Sequence, residues 1–228
     1  MANGAVVLDV DGTLIDSNDA HARAWVDAFA EHGITVPFDK VRRAIGMGGD
    51  KLMPHVADLD EESTLGQIIS DRRGEIFKRK YLPRLKPFPR VRELLERFRA
   101  HDITLTVASS AQKDELEALL QIAGVSDLID AQTSSDEADR SKPDPDIVHA
   151  AMERAKCPKD RIVMLGDTPY DIAAAHGAGI PIIALECGGW KAEELRDADA
   201  IYGSPAELLD KYESSAFATL SPSVERTF

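Results

Sequence analysis

Short apolar segments alternate with amphipathic segments along most of the chain. Four near-continuous apolar or β-branched runs are typical of strands buried on both faces, and they span 5–8, 103–108, 162–165 and 180–185. A shorter segment at 128–131 predicts a further strand. Between the runs, apolar residues recur at helical spacing, as Leu116 and Leu120 do before Gly124. The pattern predicts an α/β fold with a Rossmann-like, doubly wound parallel sheet.

One region departs from this alternation. Residues 16–87 contain helical patterns without a strand-like segment, beginning with a helix that Asp16 or Ser17 can cap. A loop of this length would be exceptional, so we expect an α-helical cap domain at 16–87, inserted into a catalytic core of 1–15 and 88–228. Residues after about Glu213 are polar and unpatterned, and we expect a mobile tail there.

The net charge of −13 narrows the range of partners. Residues 16–88 carry 12 acidic and 12 basic side chains, so the rest of the chain holds the whole acidic excess. This argues against nucleic acid or an anionic membrane as a partner. We interpret the basic residues between Arg72 and Lys86 as a solvated helix face.

The remaining composition favours a cytoplasmic protein, and the small inserted region together with the acidic body favours a monomer. No apolar run approaches the roughly 18 residues that a membrane span needs. The first residues lack the basic region of a signal peptide. Cys157 and Cys187 are too few for a disulfide framework, and reduced thiols are typical of the cytosol.

Polar side chains occur at four points where predicted strands end or helices begin. In chain order they are Asp9 and Asp11, Ser109 and Ser110, Lys142, and Asp167 and Asp171. Each alone has a structural explanation, because serine and aspartate often cap helices and a lysine before Pro-Asp-Pro is usually exposed. Ligands of parallel sheets bind beyond the carboxyl ends of the strands, so we expect these side chains to meet. Clustered carboxylates suit Mg²⁺, and the ammonium and hydroxyl groups suit phosphate.

These motifs resemble those of the haloacid dehalogenase superfamily in order, spacing and position. The matching elements are Asp9-Val10-Asp11-Gly12-Thr13-Leu14, the serine pair, Lys142-Pro143, and Gly166-Asp167 with Asp171. The region at 16–87 looks like the helical cap of subgroup I, which includes phosphoglycolate phosphatase and β-phosphoglucomutase. The resemblance implies an Mg²⁺-dependent phosphatase that acts on a small phosphorylated metabolite.

The resemblance also implies a role for each motif. Asp9 would attack the phosphorus and form an aspartyl-phosphate, while Asp11 would act as general acid and base. Lys142, Ser109 and Ser110 would bind the phosphoryl group. The carboxylate of Asp9, the backbone carbonyl of Asp11, and Asp167 would hold Mg²⁺, with Asp171 bound through water or orienting Asp167.

Several alternatives remain within and beyond this superfamily. Dehalogenases and phosphonatases lack the second carboxylate, so Asp11 argues against both. A sugar phosphomutase is the main alternative, although the loop at 45–52 lacks the Lys-Gly element of such enzymes. Arg43, Gly46 and Lys51 are candidate specificity residues of the cap. A catalytically silent binding module is a further alternative, which the intact motifs disfavour.

His21 and Trp25 are one helical turn apart in the first predicted helix. Either could face the substrate, but aromatic residues on the apolar face of a helix more often pack in the core. We therefore predict core positions for both.

Overall fold

A computed structural model describes residues 3–137 and 140–220 of the chain. Six parallel strands form one sheet in the order β3-β2-β1-β4-β5-β6. The elements are β1 (Gly4–Leu8), α1 (Asn18–Glu31), α2 (Phe38–Ala44), α3 (Gly49–Ala57), α4 (Thr64–Ile76), α5 (Val91–Ala100), β2 (Ile103–Ala108), α6 (Lys113–Ala123), β3 (Ala131–Thr133), α7 (Asp146–Ala155), β4 (Ile162–Gly166), α8 (Pro169–Ala178), β5 (Ile182–Leu185), β6 (Ala200–Tyr202) and α9 (Pro205–Asp210). The predicted α/β class is confirmed.

Both faces of the sheet are covered by helices, as the continuous apolar strands predict. In β1, Val6 and Leu8 face one apolar cluster, which includes residues of α5 and α6. Ala5 and Val7 face the opposite cluster, against α7 and α8. Side chains of a strand alternate between its faces, so a strand buried on both sides needs apolar residues at every position. This explains why β1 consists of residues that are all buried.

The region at 16–87, which we call the helical insert, contains α1 to α4 and a π-helical turn at Phe77–Tyr81. The chain enters and leaves it through two antiparallel segments that hydrogen-bond to each other. Asp16 N–H donates to the Lys86 carbonyl at 3.0 Å, and Phe88 N–H donates to the Leu14 carbonyl at 3.1 Å. The two chain connections between the insert and the core therefore lie side by side. Within the described residues, no helix is long and apolar enough to cross a membrane.

Two edge strands differ from the predicted pattern. The predicted strand at 128–131 is wrong in register, because Ser126–Leu128 forms a 3₁₀ turn and β3 begins later. Asp130 sets this register, since its N–H donates to the Leu105 carbonyl and its carboxylate accepts from Leu105 N–H, both at 2.9 Å. Strand β6 has no counterpart in the prediction, because three half-buried residues are too few to show a period.

The expected mobile tail is wrong for the residues that the structure describes after Glu213. Phe217 is fully buried and meets the Phe98 ring edge-on at 4.7 Å between centroids. Leu220 is also buried. These two apolar residues lie three apart on one helical face, and this face packs Ala216–Leu220 against the core. Residues 221–228 of the expected tail lie outside the described residues.

Candidate active site

Asp9 lies directly after β1, in the middle of the sheet edge. Its N–H donates to the Leu165 carbonyl of β4 at 2.9 Å, which fixes the backbone. The residue is 6% exposed. Lys142 Nζ donates to Asp9 Oδ1 at 2.6 Å, whereas Asp9 Oδ2 is buried and has no hydrogen-bond partner in the described chain. Burial raises the pKa of Asp9 to about 7, although Lys142 opposes the rise.

Lys142 is the cation of the cluster, and it is 1% exposed. Its ammonium lies 2.6 Å from Asp9 and 2.8 Å from an oxygen of Asp171. Burial lowers the pKa of Lys142, but the charges of Asp171 and Asp9 outweigh burial and raise the pKa above its ordinary value. The alternative of an exposed lysine is therefore excluded, and Lys142 stays protonated beside Asp9.

Asp167 follows β4 and is fully buried. Thr13 Oγ1 donates to Asp167 Oδ1 at 3.1 Å, and Asn18 Nδ2 donates to Asp167 Oδ2 at 2.9 Å. Burial, together with the charges of Asp9 and Asp171, raises the pKa of Asp167 well above its ordinary value. This carboxylate is thus held by two neutral donors, and within residues 3–137 and 140–220 it forms no ion pair with a lysine or arginine.

Two glycines make room for Asp167. A Cβ atom on Gly188 would lie 1.8 Å from Asp167 Oδ2, and one on Gly12 would lie 2.3 Å from the same oxygen. Gly12 also has a φ of +81°, which L side chains rarely adopt. The turn after β1 and the turn after β5 therefore both require glycine for the carboxylate to occupy its position.

The carboxylates of Asp9, Asp167 and Asp171 converge, with ligand oxygens within 4.8 Å of one another. Thr168 orients Asp171, whose Oδ2 accepts from Thr168 N–H at 3.0 Å and from Thr168 Oγ1 at 2.7 Å. Three carboxylates face one ammonium, and Asp9 Oδ2 lacks a partner. The surplus charge and the free oxygen fit a hard divalent cation such as Mg²⁺, which prefers oxygen ligands.

Asp11 lies beside this cluster, and its side chain is bonded elsewhere. His21 Nε2 contacts Asp11 Oδ1 at 2.8 Å, and the Ser17 hydroxyl donates to the same oxygen at 2.5 Å. Burial raises the pKa of Asp11, but the attraction of His21 and the hydrogen bonds from His21 and Ser17 lower it below its ordinary value. The Asp11 carboxylate is therefore absent from the converging cluster, and any metal contact is left to the predicted backbone carbonyl.

Ser17 and His21 both contact Asp11, a role that the sequence does not predict for either residue. Ser17 precedes α1, but its side chain caps no helix N–H and instead bonds to Asp11. His21 is buried, as predicted, and stacks on Phe77 at 4.0 Å between ring centroids. His21 is buried and also lines the cavity in front of Asp9 and Asp11, because the buried face of α1 lies against that cavity. The spacing between Asp11 and His21 carries no periodic signal that could have shown this.

The predicted serine pair divides between two positions. Ser110 lines the cavity in front of Asp9 and Asp11. Ser109 is buried behind it, and its hydroxyl accepts the Ala111 N–H at 3.1 Å. Helix α6 begins only at Lys113, so neither serine is its N-cap residue.

The cavity in front of Asp9 and Asp11, which we call the inner cavity, has a volume of about 50 Å³. Its far wall comes from the helical insert and includes His21, Trp25 and Arg73. The Arg73 guanidinium donates to both carboxylate oxygens of Glu115 at 3.0 Å, and it lies 5.1 Å from the Trp25 ring centroid. Glu115 is buried on α6 and also lines the cavity.

Sequence reasoning missed Arg73 and Glu115. Arg73 was assigned to a solvated basic face, but its side chain is only 15% exposed. It differs from Arg72 next to it, which pairs with Glu31 on the outer side of the insert. Adjacent helical residues point in directions about 100° apart. Neighbouring basic residues can therefore face solvent and the cavity, respectively. Glu115 lies on the otherwise apolar, buried face of α6, and a charged residue on such a face indicates a buried partner. This was the signal available in the sequence.

The three candidate specificity residues also separate. Gly46 lines the inner cavity, with a φ of +109°. Arg43 and Lys51 line neither this cavity nor the larger one next to it. Arg43 stacks 4.3 Å from the Trp190 ring centroid and pairs with Glu194 at 2.5 Å. Lys51 pairs with Asp144 at 2.9 Å. Both side chains therefore form ion pairs with carboxylates of the core and lie outside the two cavities.

The chain matches the family profile described as haloacid dehalogenase-like hydrolase over residues 6–185. It is 33% identical over 189 residues to the protein SUPPRESSOR OF QUENCHING 1, chloroplastic, of Arabidopsis thaliana, and the match covers 80% of this chain but 18% of that protein. It is 29% identical over 206 residues to validoxylamine A 7'-phosphate phosphatase of Streptomyces hygroscopicus subsp. limoneus, covering 89% and 94% of the two chains. A solved hydrolase from Pseudomonas syringae is similar with a TM-score of 0.86 and 25% identity, covering 92% of this chain and 98% of that one.

Proposed function

Because the chain belongs to the haloacid dehalogenase-like hydrolase family, we propose that it is an Mg²⁺-dependent phosphatase that hydrolyses a small phosphate monoester through an aspartyl-phosphate. One observation carries the proposal. Asp9 presents a buried carboxylate with an unpartnered oxygen to the same cavity as Asp11. Nucleophilic and proton-transfer chemistry need two such groups in different environments.

In the first half of the reaction, an oxygen of Asp9 attacks the phosphorus of the substrate. The bond from phosphorus to the leaving oxygen breaks, and Asp11 donates a proton to that oxygen from its protonated form, which is the minor form of the free enzyme because the pKa of Asp11 lies below its ordinary value. Lys142, 2.6 Å from Asp9, balances the negative charge shared by the carboxylate and the phosphoryl oxygens. Ser110 lines the cavity and would hold a phosphoryl oxygen through its hydroxyl.

In the second half, a water molecule attacks the phosphorus of the aspartyl-phosphate. Asp11, now a carboxylate, takes a proton from this water. The bond between phosphorus and the Asp9 oxygen breaks, which releases phosphate and restores the Asp9 carboxylate. The hydrogen bonds from Ser17 and His21 hold Asp11 in one orientation for both proton transfers.

The converging carboxylates would hold the metal ion beside the phosphoryl group. Mg²⁺ held by Asp9 and Asp167, with Asp171 nearby, would neutralise charge on the phosphoryl oxygens and align them for attack. Thr13 and Asn18 orient the Asp167 carboxylate through hydrogen bonds. Such bonds to a ligand commonly change metal affinity by about 10- to 100-fold.

The phosphomutase alternative requires a grip for a second phosphate group. Arg43 and Lys51, the cations that could supply it from the loop, are paired with Glu194 and Asp144 outside the cavities. Arg73 does line the inner cavity, but Glu115 occupies its guanidinium. These contacts favour hydrolysis over transfer to a sugar.

Phosphate release from p-nitrophenyl phosphate and from a panel of metabolite monoesters tests the proposal. We expect turnover with Mg²⁺, and a loss of at least 10³-fold in D9N or in excess chelator. The control D58N makes the same chemical change at an exposed position and is expected to retain full activity. Equal rates in D9N and the wild type would contradict the mechanism.

A further inference from the structure

A second cavity opens between the helical insert and the core. This cavity, which we call the outer chamber, has a volume of about 260 Å³, against about 50 Å³ for the inner cavity. Arg73 and Ser110 line both, so the two cavities adjoin. A substrate whose phosphoryl group lies at Asp9 would extend its leaving group past these residues into the outer chamber.

Polar groups dominate the wall of the outer chamber. Apart from the apolar side chain of Ile147, its lining side chains carry hydroxyl, amide, carboxylate or guanidinium groups. Serine hydroxyls donate and accept hydrogen bonds, and so does the amide of Gln112. None of its lining residues is aromatic. The chamber therefore suits a hydroxyl-rich group better than a flat apolar ring, which needs apolar or aromatic walls.

Two carboxylates of the outer chamber are bonded to hydroxyl groups rather than to cations. The Ser70 hydroxyl donates to Glu61 at 2.8 Å, and the Ser141 hydroxyl donates to Asp50. Across the described part of the chain, neither carboxylate forms an ion pair with a lysine or arginine. Arg73 is the cation of the chamber wall, and its charge is balanced by Glu115 at 3.0 Å.

The Glu61 carboxylate packs closely against the backbone of Gly49 in the chamber wall. Gly49 makes this possible, because a Cβ atom there would lie 2.0 Å from Glu61 Oε1. Burial raises the pKa of Glu61 and the charge of Asp50 adds to the rise, although the Ser70 hydrogen bond opposes it. A further anion placed beside Glu61 and Asp50 would face the same repulsion.

We propose that the outer chamber binds the leaving group of the substrate. This group is rich in hydroxyls and carries no negative charge of its own beyond the phosphoryl group that is transferred. A sugar or polyol monophosphate fits this description, whereas a bisphosphate or a phosphorylated sugar acid does not. The inference rests on the proposed phosphatase function, because it places the phosphoryl group at Asp9. It adds the chemical class of the group that leaves.

Matched substrates test the charge requirement. Sorbitol 6-phosphate and 6-phosphogluconate differ at C1, where the first has a hydroxymethyl group and the second a carboxylate. We expect kcat/KM to be at least tenfold higher for sorbitol 6-phosphate, because the carboxylate meets Glu61 and Asp50 at short range. Glucosamine 6-phosphate, which carries a cation, is expected to react at least as well as glucose 6-phosphate.

Variants locate the effect in the outer chamber. In D50N/E61Q both side chains keep hydrogen-bonding groups and lose their charge, so the preference for sorbitol 6-phosphate is expected to shrink at least threefold. The single variants D50N and E61Q report the same change if the double variant does not fold. The control E62Q removes an exposed carboxylate next to Glu61 and is expected to leave the preference unchanged.

Calorimetric titration of D9N with sorbitol 6-phosphate and 6-phosphogluconate, in Mg²⁺, measures the same preference without turnover. Equal or stronger binding and turnover of 6-phosphogluconate would overturn the inference, and so would an unchanged preference in the chamber variants. If no phosphate is released from any monoester, p-nitrophenyl phosphate included, the proposed function itself fails. The two failures are therefore distinguishable.

Discussion

At the scale of single residues, Asp11 is a core residue whose surroundings come from the helical insert. Ser17 and His21 both bond to Asp11 Oδ1, and both belong to the insert. The attraction of His21 contributes to the lowered pKa of Asp11, against the effect of burial. The protonation of the proposed acid and base therefore depends on a side chain from the other part of the molecule.

The variant H21Q tests this dependence. Glutamine can still donate a hydrogen bond but carries no positive charge, so the pKa of Asp11 is expected to rise. Each apparent pKa in the pH dependence of kcat that reports Asp11 should then move to higher pH. At the pH optimum of the wild type, kcat should fall by roughly tenfold. H32Q changes a histidine whose ring bonds to the Ala28 carbonyl and is the control. A shift to lower pH would contradict the assignment.

Asp167 depends on residues that carry no side chain. In G188A, the new methyl group would lie 1.8 Å from Asp167 Oδ2 and must displace that carboxylate. We expect the affinity for Mg²⁺ to fall at least tenfold, measured by the Mg²⁺ concentration that gives half-maximal activity. G74A is the control, because a Cβ at Gly74 meets nothing within 4 Å, and alanine there should stabilise α4 by about 0.5–1 kcal/mol. An unchanged Mg²⁺ requirement in G188A would contradict the packing argument.

At the scale of elements, the sequence predicts the interior better than the boundaries. Strands β1, β2, β4 and β5 are continuous apolar runs, so burial on both faces identifies them without knowledge of their neighbours. The register of β3 depends on Asp130 pairing with Leu105, which is distant in the chain. The proximity of Asp9 and Asp167 was predictable because strand ends meet at one edge, and Lys142 reaches them from the segment before α7. Arg73 was not, because its partner Glu115 becomes a neighbour only after the insert packs on the core.

The final described segment offers a test of packing against local pattern. Phe217 is fully buried against Phe98, so F217A should lower the free energy of unfolding by about 3–5 kcal/mol. T219A, at an exposed neighbour, should change it by less than about 0.5 kcal/mol. Chemical denaturation measures both. Equal stability of F217A and T219A would restore the prediction of a mobile tail.

At the scale of the whole molecule, the buried charge cluster joins loops from distant parts of the chain. The carboxylates of Asp9, Asp167 and Asp171 converge, but among the described residues the Lys142 ammonium pairs only with Asp9 and Asp171, so the metal-free fold retains repulsion at the sheet edge. A divalent cation that binds only the folded state removes this repulsion and stabilises the entire domain. Metal removal should therefore affect stability as well as activity.

Thermal unfolding with and without Mg²⁺ measures this coupling. A hundredfold excess over the dissociation constant stabilises by about 2.7 kcal/mol, which corresponds to a rise in Tm of roughly 5–10 °C for a chain of this size. The wild type should show the rise at constant ionic strength, and D167N should show much less. An equal rise in both proteins would show that the cation acts elsewhere.

The paired segments that connect insert and core have an evolutionary consequence. Because the chain leaves and returns at hydrogen-bonded neighbours, Asp16 with Lys86 and Leu14 with Phe88, the segment between them forms an exchangeable cassette. Recombination at this seam would replace the side of the outer chamber that the insert contributes, Asp50 and Glu61 included, while leaving the register of all six strands intact. New selectivity could thus be acquired in one genetic event, provided that the incoming helices again supply partners for Asp11.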